Sequence, residues 1–244
     1  MTKTVLITGG AKGIGAAAVK VFAGHHYNVM INYLHSEQEA LSLVGELQKQ
    51  GAKAMACQAD VSRRDQVEAM IEKGKERFGS IDILVNNAGV SQQKLFTDLT
   101  EDEWERMMAV HVKGTFNCCQ AILPDMIRKR AGKIINISSI WGMVGASCEV
   151  HYSTAKAAVI GLTKALAKEL GPSGIQVNCV APGIVETEMI AFLDKEERQS
   201  LENETPLMRF GRPEEIANTV FYLASAQADF MTGQVISPNG GFVI

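Results

Sequence analysis

The chain has 244 residues, 46% of them hydrophobic, enough to bury a full core as one α/β domain. Its 24 Lys and Arg against 27 Asp and Glu give a net charge of -3, which argues against a general nucleic-acid binder. No apolar run reaches the roughly 20 residues of a membrane span, and "MTKTVLITGG" enters a strand pattern directly, leaving no room for a secretory leader. The five cysteines (Cys57, Cys118, Cys119, Cys148 and Cys179) are odd in number and lack metal-ligand spacing. The expectation is a cytoplasmic protein with reduced thiols and no metal.

The first strand is predicted at 4–8 and runs into "TGGAKGIG" and a helix over 13–24. Gly9, Gly13 and Gly15 are spaced G-x-x-x-G-x-G around Lys12 and Ile14. Glycines let the backbone approach a pyrophosphate, and the helix N-terminus presents N–H groups and a positive dipole. A tight structural turn is the plainer reading. After the first strand of a parallel sheet, the dinucleotide site is favoured. The second strand, 28–32, ends in Tyr33, Leu34, His35 and Ser36, with no acid before Glu37. A carboxylate there would favour NAD; its absence, with a cation at Lys12, favours the 2′-phosphate of NADP(H). Tyr33, His35 and Ser36 are the residues expected beside it.

A helix over 36–50 follows, with Ser36 and Glu39 as its capping signal, then a strand over 53–58. Asp60 and Val61 come next, as adenine neighbours or a simple turn. A helix over 63–78, signalled by Ser62 and Asp65, leads to the fourth strand, 81–85, and to "NNAG". Asn87, Ala88 and Gly89 at that strand's carboxyl edge can support a cofactor or merely hold a turn. One long helix is predicted over 100–130, capped by Thr100 and Glu103 and containing His111. The fifth strand, 133–138, precedes Ser139, and a helix over 151–170 carries Tyr152 and Lys156. Residues i and i+4 share a helix face, so a phenol and an ammonium can meet at one spot, where the cation would lower the phenol's pKa. A buried tyrosine beside a solvated lysine has the same spacing. Strands over 175–180 and 234–237 flank "APGIVET", the charged stretch 194–206 and a helix over 213–225. Strand–helix alternation throughout predicts a doubly wound parallel sheet, the Rossmann architecture, in a single domain.

Taken together, "TGGAKGIG", "NNAG", the serine pair, "YSTAK", "APG" and "TGQVISPNGG" resemble the short-chain dehydrogenase/reductase family over nearly the whole chain. The resemblance implies hydride transfer between NADP(H) and a ketone or alcohol, and a homotetramer built on the helices 100–130 and 151–170 and on the C-terminal segment. It implies that Ser139 orients substrate beside its structural neighbour Ser138. Tyr152 would donate the proton, and Lys156 would hold the nicotinamide ribose. It also implies that Pro182, Gly183, Ile184, Val185 and Thr187 meet the nicotinamide, and that 194–206 is a mobile lid. His111 departs from the family's asparagine and is expected either to share in proton transfer or to pack in its helix.

Within the family the chain is most similar to the 3-oxoacyl-(acyl-carrier-protein) reductases of fatty acid biosynthesis. Arg130 falls where those enzymes meet acyl carrier protein, but Ser173 replaces their second arginine. Trp141 and Glu149, an aromatic face and a carboxylate near Tyr152, suit a cationic substrate. The stretch "SIWG…GASCEV" is similar to a subgroup that reduces the 5-aminopentanone modification of elongation factor P, which carries an ammonium group.

Overall fold

The computed structural model describes residues 2–191 and 193–244. Seven parallel strands form one sheet: β1 Thr4–Ile7, β2 Asn28–Tyr33, β3 Ala54–Gln58, β4 Ile83–Asn86, β5 Gly132–Ile137, β6 Ile175–Val180 and β7 Val235–Ile236. Their order is β3-β2-β1-β4-β5-β6-β7, so the chain reverses direction between β1 and β4. The carboxyl ends at that reversal, after Ile7 and Asn86, are where a doubly wound sheet leaves a crevice.

The nine α-helices among the described residues are α1 Gly13–Gly24, α2 Glu37–Lys49, α3 Arg64–Phe78, α4 Glu101–Met108 and α5 Gly114–Lys129, then α6 Trp141–Val144, α7 Val150–Leu170, α8 Lys195–Glu204 and α9 Pro213–Ala224. Side chains alternate across each strand. Val5 and Ile7 therefore join one core with Phe22, Leu43, Val220 and Leu223, and Leu6 joins the other with Met30, Met70, Ile122 and Met126. Each such side chain, fully withdrawn from water, contributes about 1.5–3 kcal/mol, and a sheet buried on both faces explains why its strands read as apolar throughout. No helix of the described residues is long and apolar enough to cross a membrane.

Two local expectations fail for physical reasons. The predicted helix 100–130 is three pieces: α4, a π-helical turn Ala109–Lys113, and α5, which ends with Arg130 in the left-handed region at φ 52°. A π turn carries one extra residue per turn and re-aims what it holds, in this case His111. Of the three capping signals, only Thr100 makes the reciprocal box with Glu103. The Ser36 side chain makes no cap bond, and Glu39 pairs with Lys12 instead. Ser62 hydrogen-bonds Asp60, and α3 starts two residues later.

Candidate active site

A cavity of about 1070 Å³ opens at the carboxyl edge of the sheet, reaching from Gly9 at one end to Trp141, Glu149 and Phe242 at the other. At the first end Gly13 has φ 52°, and a Cβ there would sit 3.3 Å from the Thr187 side chain. Asn87 stitches this turn to β4: its Nδ2 donates to the carbonyls of Thr8 and Gly9, both at 3.0 Å. Thr8 Oγ1 accepts from the N–H groups of Asn87 and Ala88 at 2.9 and 3.0 Å. Glycine-rich backbone at the N-terminus of α1 fits a dinucleotide pyrophosphate. Of the residues expected at the cofactor, Gly9, Lys12, Gly13, Ile14, Asn87, Ala88 and Gly89 all line the cavity. Pro182, Gly183, Ile184, Val185 and Thr187 line it from the other side.

The remaining cofactor expectations fall outside it. Gly15 lies behind the turn, its α-carbon packed on backbone. The Tyr33 hydroxyl donates to Glu37 at 3.2 Å, His35 is exposed, and the Ser36 side chain makes no cap bond. Asp60 accepts from Ser62 with its carboxylate, at 2.9 Å from the N–H and 2.7 Å from the hydroxyl. Val61 is buried and its carbonyl accepts from Asn117 at 2.9 Å. Lys12 is not a free cation: it pairs with Glu39 at 2.8 Å and Glu188 at 3.1 Å, which hold its pKa above the usual lysine value.

Mid-cavity, β5 delivers Ser138 and Ser139 while α7 delivers Tyr152 and Lys156, and all four line the space. Ser138 Oγ donates to the Lys156 carbonyl at 2.8 Å, fixing the helix turn that carries the lysine. The Lys156 ammonium donates to the Ile137 carbonyl at 2.9 Å and lies 5.4 Å from the centre of the Tyr152 ring. Burial pushes this lysine down to about 8, while Cys179 opposes. The Ser139 hydroxyl oxygen accepts from the Trp141 N–H at 3.2 Å, and its own proton is directed to the Tyr152 oxygen.

One electrostatic expectation reverses. Tyr152 is not lowered by its lysine neighbour. Burial pushes its pKa up and the negative charge of Glu149 adds to that, with only the hydrogen bond from Ser139 working the other way. Desolvation penalises a phenolate more than a buried, partly deprotonatable lysine favours it. The phenol is thus protonated at neutral pH, as a donor must be.

His111 sits edge-on to Tyr152, with ring centroids 5.4 Å apart and planes at 87°. Its Nε2–H donates to the Val90 carbonyl at 2.8 Å. Burial, then the Lys156 charge, push its pKa to about 3, so it is a neutral ring fastened to the loop after β4 rather than a carrier of charge. The substrate end contains Trp141, edge-to-face with Phe242 at 5.6 Å, and Glu149, whose Oε1 accepts from Gln93 at 3.2 Å. Burial raises the Glu149 pKa. Ser91, Gln92, Gln93, Leu201, Glu204 and Phe242 line this end too and were not foreseen. They come from three separate segments with no motif between them; only the position of 194–206, expected as a lid, hinted at Leu201 and Glu204.

A family model described as "Enoyl-(Acyl carrier protein) reductase" matches residues 9–243. The chain is 44% identical over 241 residues to a Staphylococcus aureus protein named 3-oxoacyl-[acyl-carrier-protein] reductase FabG, covering 99% of this chain and 98% of that one. Proteins of the same name from Thermotoga maritima and Chlamydia muridarum are 41% identical over 242 residues and 39% identical over 241. Each comparison covers 99% of this chain, with 98% of the Thermotoga protein and 97% of the Chlamydia protein. With a parallel sheet, a glycine turn at its reversal point and full-length similarity of this degree, the chain belongs to the short-chain dehydrogenase/reductase family, as an oxidoreductase of the ketone–hydroxyl pair.

Proposed function

We propose that the protein reduces the ketone of a 3-oxoacyl thioester on acyl carrier protein to the secondary alcohol, using NADPH. The observation that carries the reading is that Ser139 and Tyr152 both line the cavity with their hydroxyl groups hydrogen-bonded, and Lys156 is buried beside them. The glycine turn Gly9–Gly13 would hold the cofactor's pyrophosphate and Pro182–Thr187 its nicotinamide, which would supply a hydride. The ketone oxygen then gathers negative charge. Ser139, its oxygen already occupied by the Trp141 N–H, turns its proton to that oxygen. Tyr152 completes the step by transferring the phenolic proton. Lys156 makes this transfer easier, since an ammonium near the ring steadies the phenolate that forms. Two O–H donors meeting one oxygen suit a carbonyl better than the carbon–carbon double bond named in the family model's description. Arg130 stays exposed at the end of α5 with one N–H on the Pro172 carbonyl at 2.9 Å, available to an acidic carrier protein. The protein is read as a single cytoplasmic domain working as a homotetramer.

A second reading is favoured by the acidic substrate end, where Glu149 and Glu204 line the cavity and neither forms an ion pair among the described residues. Their charge and the Trp141 face suit a ketone bearing an ammonium group, such as 5-aminopentanone-modified elongation factor P. The deciding experiment is NADPH oxidation with acetoacetyl-acyl carrier protein and modified elongation factor P in parallel. Turnover of the thioester alone upholds the first reading. Turnover of the aminopentanone alone, lost on Glu149→Gln, replaces it with the second; activity on neither refutes both.

A further inference from the structure

The loop after β4, residues 90–94, has no repetitive backbone, yet its residues are tied to the segments flanking Tyr152. Val90 is held by His111, Gln93 by Glu149, and the Lys94 N–H by the Cys148 carbonyl at 2.8 Å. Gln92 is the junction. Its Nε2 donates to Glu103 Oε1 at 2.6 Å, and its Oε1 faces His151 Nε2 at 3.2 Å. Glu103 is itself fixed by Lys94, 2.8 Å from both oxygens, and by the Thr100 cap. That leaves the Gln92 amide one orientation, so its oxygen must accept from the His151 Nε2–H. His151 is fully buried, and its Nδ1 has no hydrogen-bond partner. Gln92 is therefore its sole side-chain hydrogen bond among the described residues, and His151 directly precedes Tyr152 in the first turn of α7.

We propose that Gln92 is a positioning residue: the chain Glu103–Gln92–His151 seats the loop 90–94 against the first turn of α7 and so holds the Tyr152 hydroxyl at the reacting carbonyl. The inference rests on Tyr152 being the proton donor. A buried imidazole with one hydrogen bond, deprived of it, has two unsatisfied nitrogens and must find another arrangement. The turn bearing Tyr152 moves with it, and small misplacements at a proton donor are costly in rate.

The variants Gln92→Leu, His151→Phe, their combination and His151→Gln test this in the full-length protein. Gln92→Leu should lower kcat about tenfold with KM for NADPH unchanged, and should lower the melting temperature by a few degrees because it strands the His151 imidazole. His151→Gln, which keeps an N–H donor, should recover most of the loss that His151→Phe causes. In the double variant both partners are apolar, so the loss should not exceed that of either single change. Independently of any substrate, amide hydrogen exchange at residues 153–156, the first N–H groups bonded within this turn, should speed up in Gln92→Leu. Multiplying losses in the double variant, a kcat change below twofold, or unchanged exchange would overturn the proposal. Should His151→Phe fail to fold, Gln92→Leu and its exchange decide alone. A wild-type protein inactive on ketones would refute the proposed function, with the exchange result still judging the clasp.

Discussion

Replacing Gly15 with alanine isolates the closest approach in the nucleotide turn. Gly15 is outside the left-handed region, so the cost is one of space. An added Cβ would lie 2.3 Å from the Gly9 carbonyl oxygen, 2.6 Å from Asn87 Nδ2 and 3.0 Å from Gly10 Cα. Against an ordinary carbon contact of about 3.5 Å, the first is short by about 1 Å, and the obstacle is backbone, which cannot swing aside. Overpacking costs about 1–3 kcal/mol, and displacing Asn87 puts its two bonds to Thr8 and Gly9 at risk, at about 1 kcal/mol each. Alanine's better helix propensity returns about 1 kcal/mol. The net loss is about 2–4 kcal/mol, or roughly 4–16 °C in melting temperature for a chain of this size. Gly45 is the control: it lies in α2 with nothing within 4 Å of its added Cβ, so alanine there should stabilise by about 1 kcal/mol. Thermal melts and fluorescence titration with NADPH read both variants. A Gly15→Ala protein that melts with the wild type and binds NADPH equally well would refute the steric argument.

Tyr152→Phe keeps a buried ring and removes the proton, so kcat should fall at least about 100-fold while the NADPH dissociation constant moves less than twofold. Lys156 has a pKa of about 8 in place of 10.5, so between those values the unfolded chain binds more protons than the folded one. Relative to Lys156→Met, wild-type stability should therefore rise with pH across that window, by up to about 1.4 kcal/mol per unit, in denaturant melts at successive pH values. His111, held at about 3 against an ordinary 6.5, should make the wild type lose stability on acidification between those values, a loss absent in His111→Asn. Arg130→Gly removes the bond to Pro172 but relieves a left-handed residue, so stability should stay within about 1 kcal/mol. Its KM for a carrier-linked thioester should rise several-fold while that for a free thioester analogue holds.

Much of the architecture was legible along the chain. α1 and β6 fall on the residues read for them, and the other strands move by one or two residues at an end, because apolar runs mark burial better than they mark the last ladder bond. Continuous apolar strands alternating with helical periods admit few arrangements besides a parallel sheet covered on both faces. The glycine turn, the asparagine pair and the i, i+4 tyrosine and lysine are local patterns, and local spacing is visible in one dimension.

What the tertiary structure decided involves partners from distant segments. Nothing in "AVHVK" announces a π turn; it places His111 where it reaches Val90, 21 residues earlier. Lys12 meets Glu39 and Glu188, and Gln92 joins Glu103 to His151, across separations that no motif spans. The Tyr152 pKa was misjudged for the same reason: a neighbouring lysine can be read from spacing, but the desolvation that outweighs it depends on everything packed around the ring. Sequence alone thus determined the sheet, the glycine turn at its reversal point and the helix that carries Tyr152 and Lys156, all set by periodicity and short-range sterics. The shape and charge of the substrate end, and the clasp behind Tyr152, exist only once the fold brings remote side chains within hydrogen-bonding distance and takes water away from them.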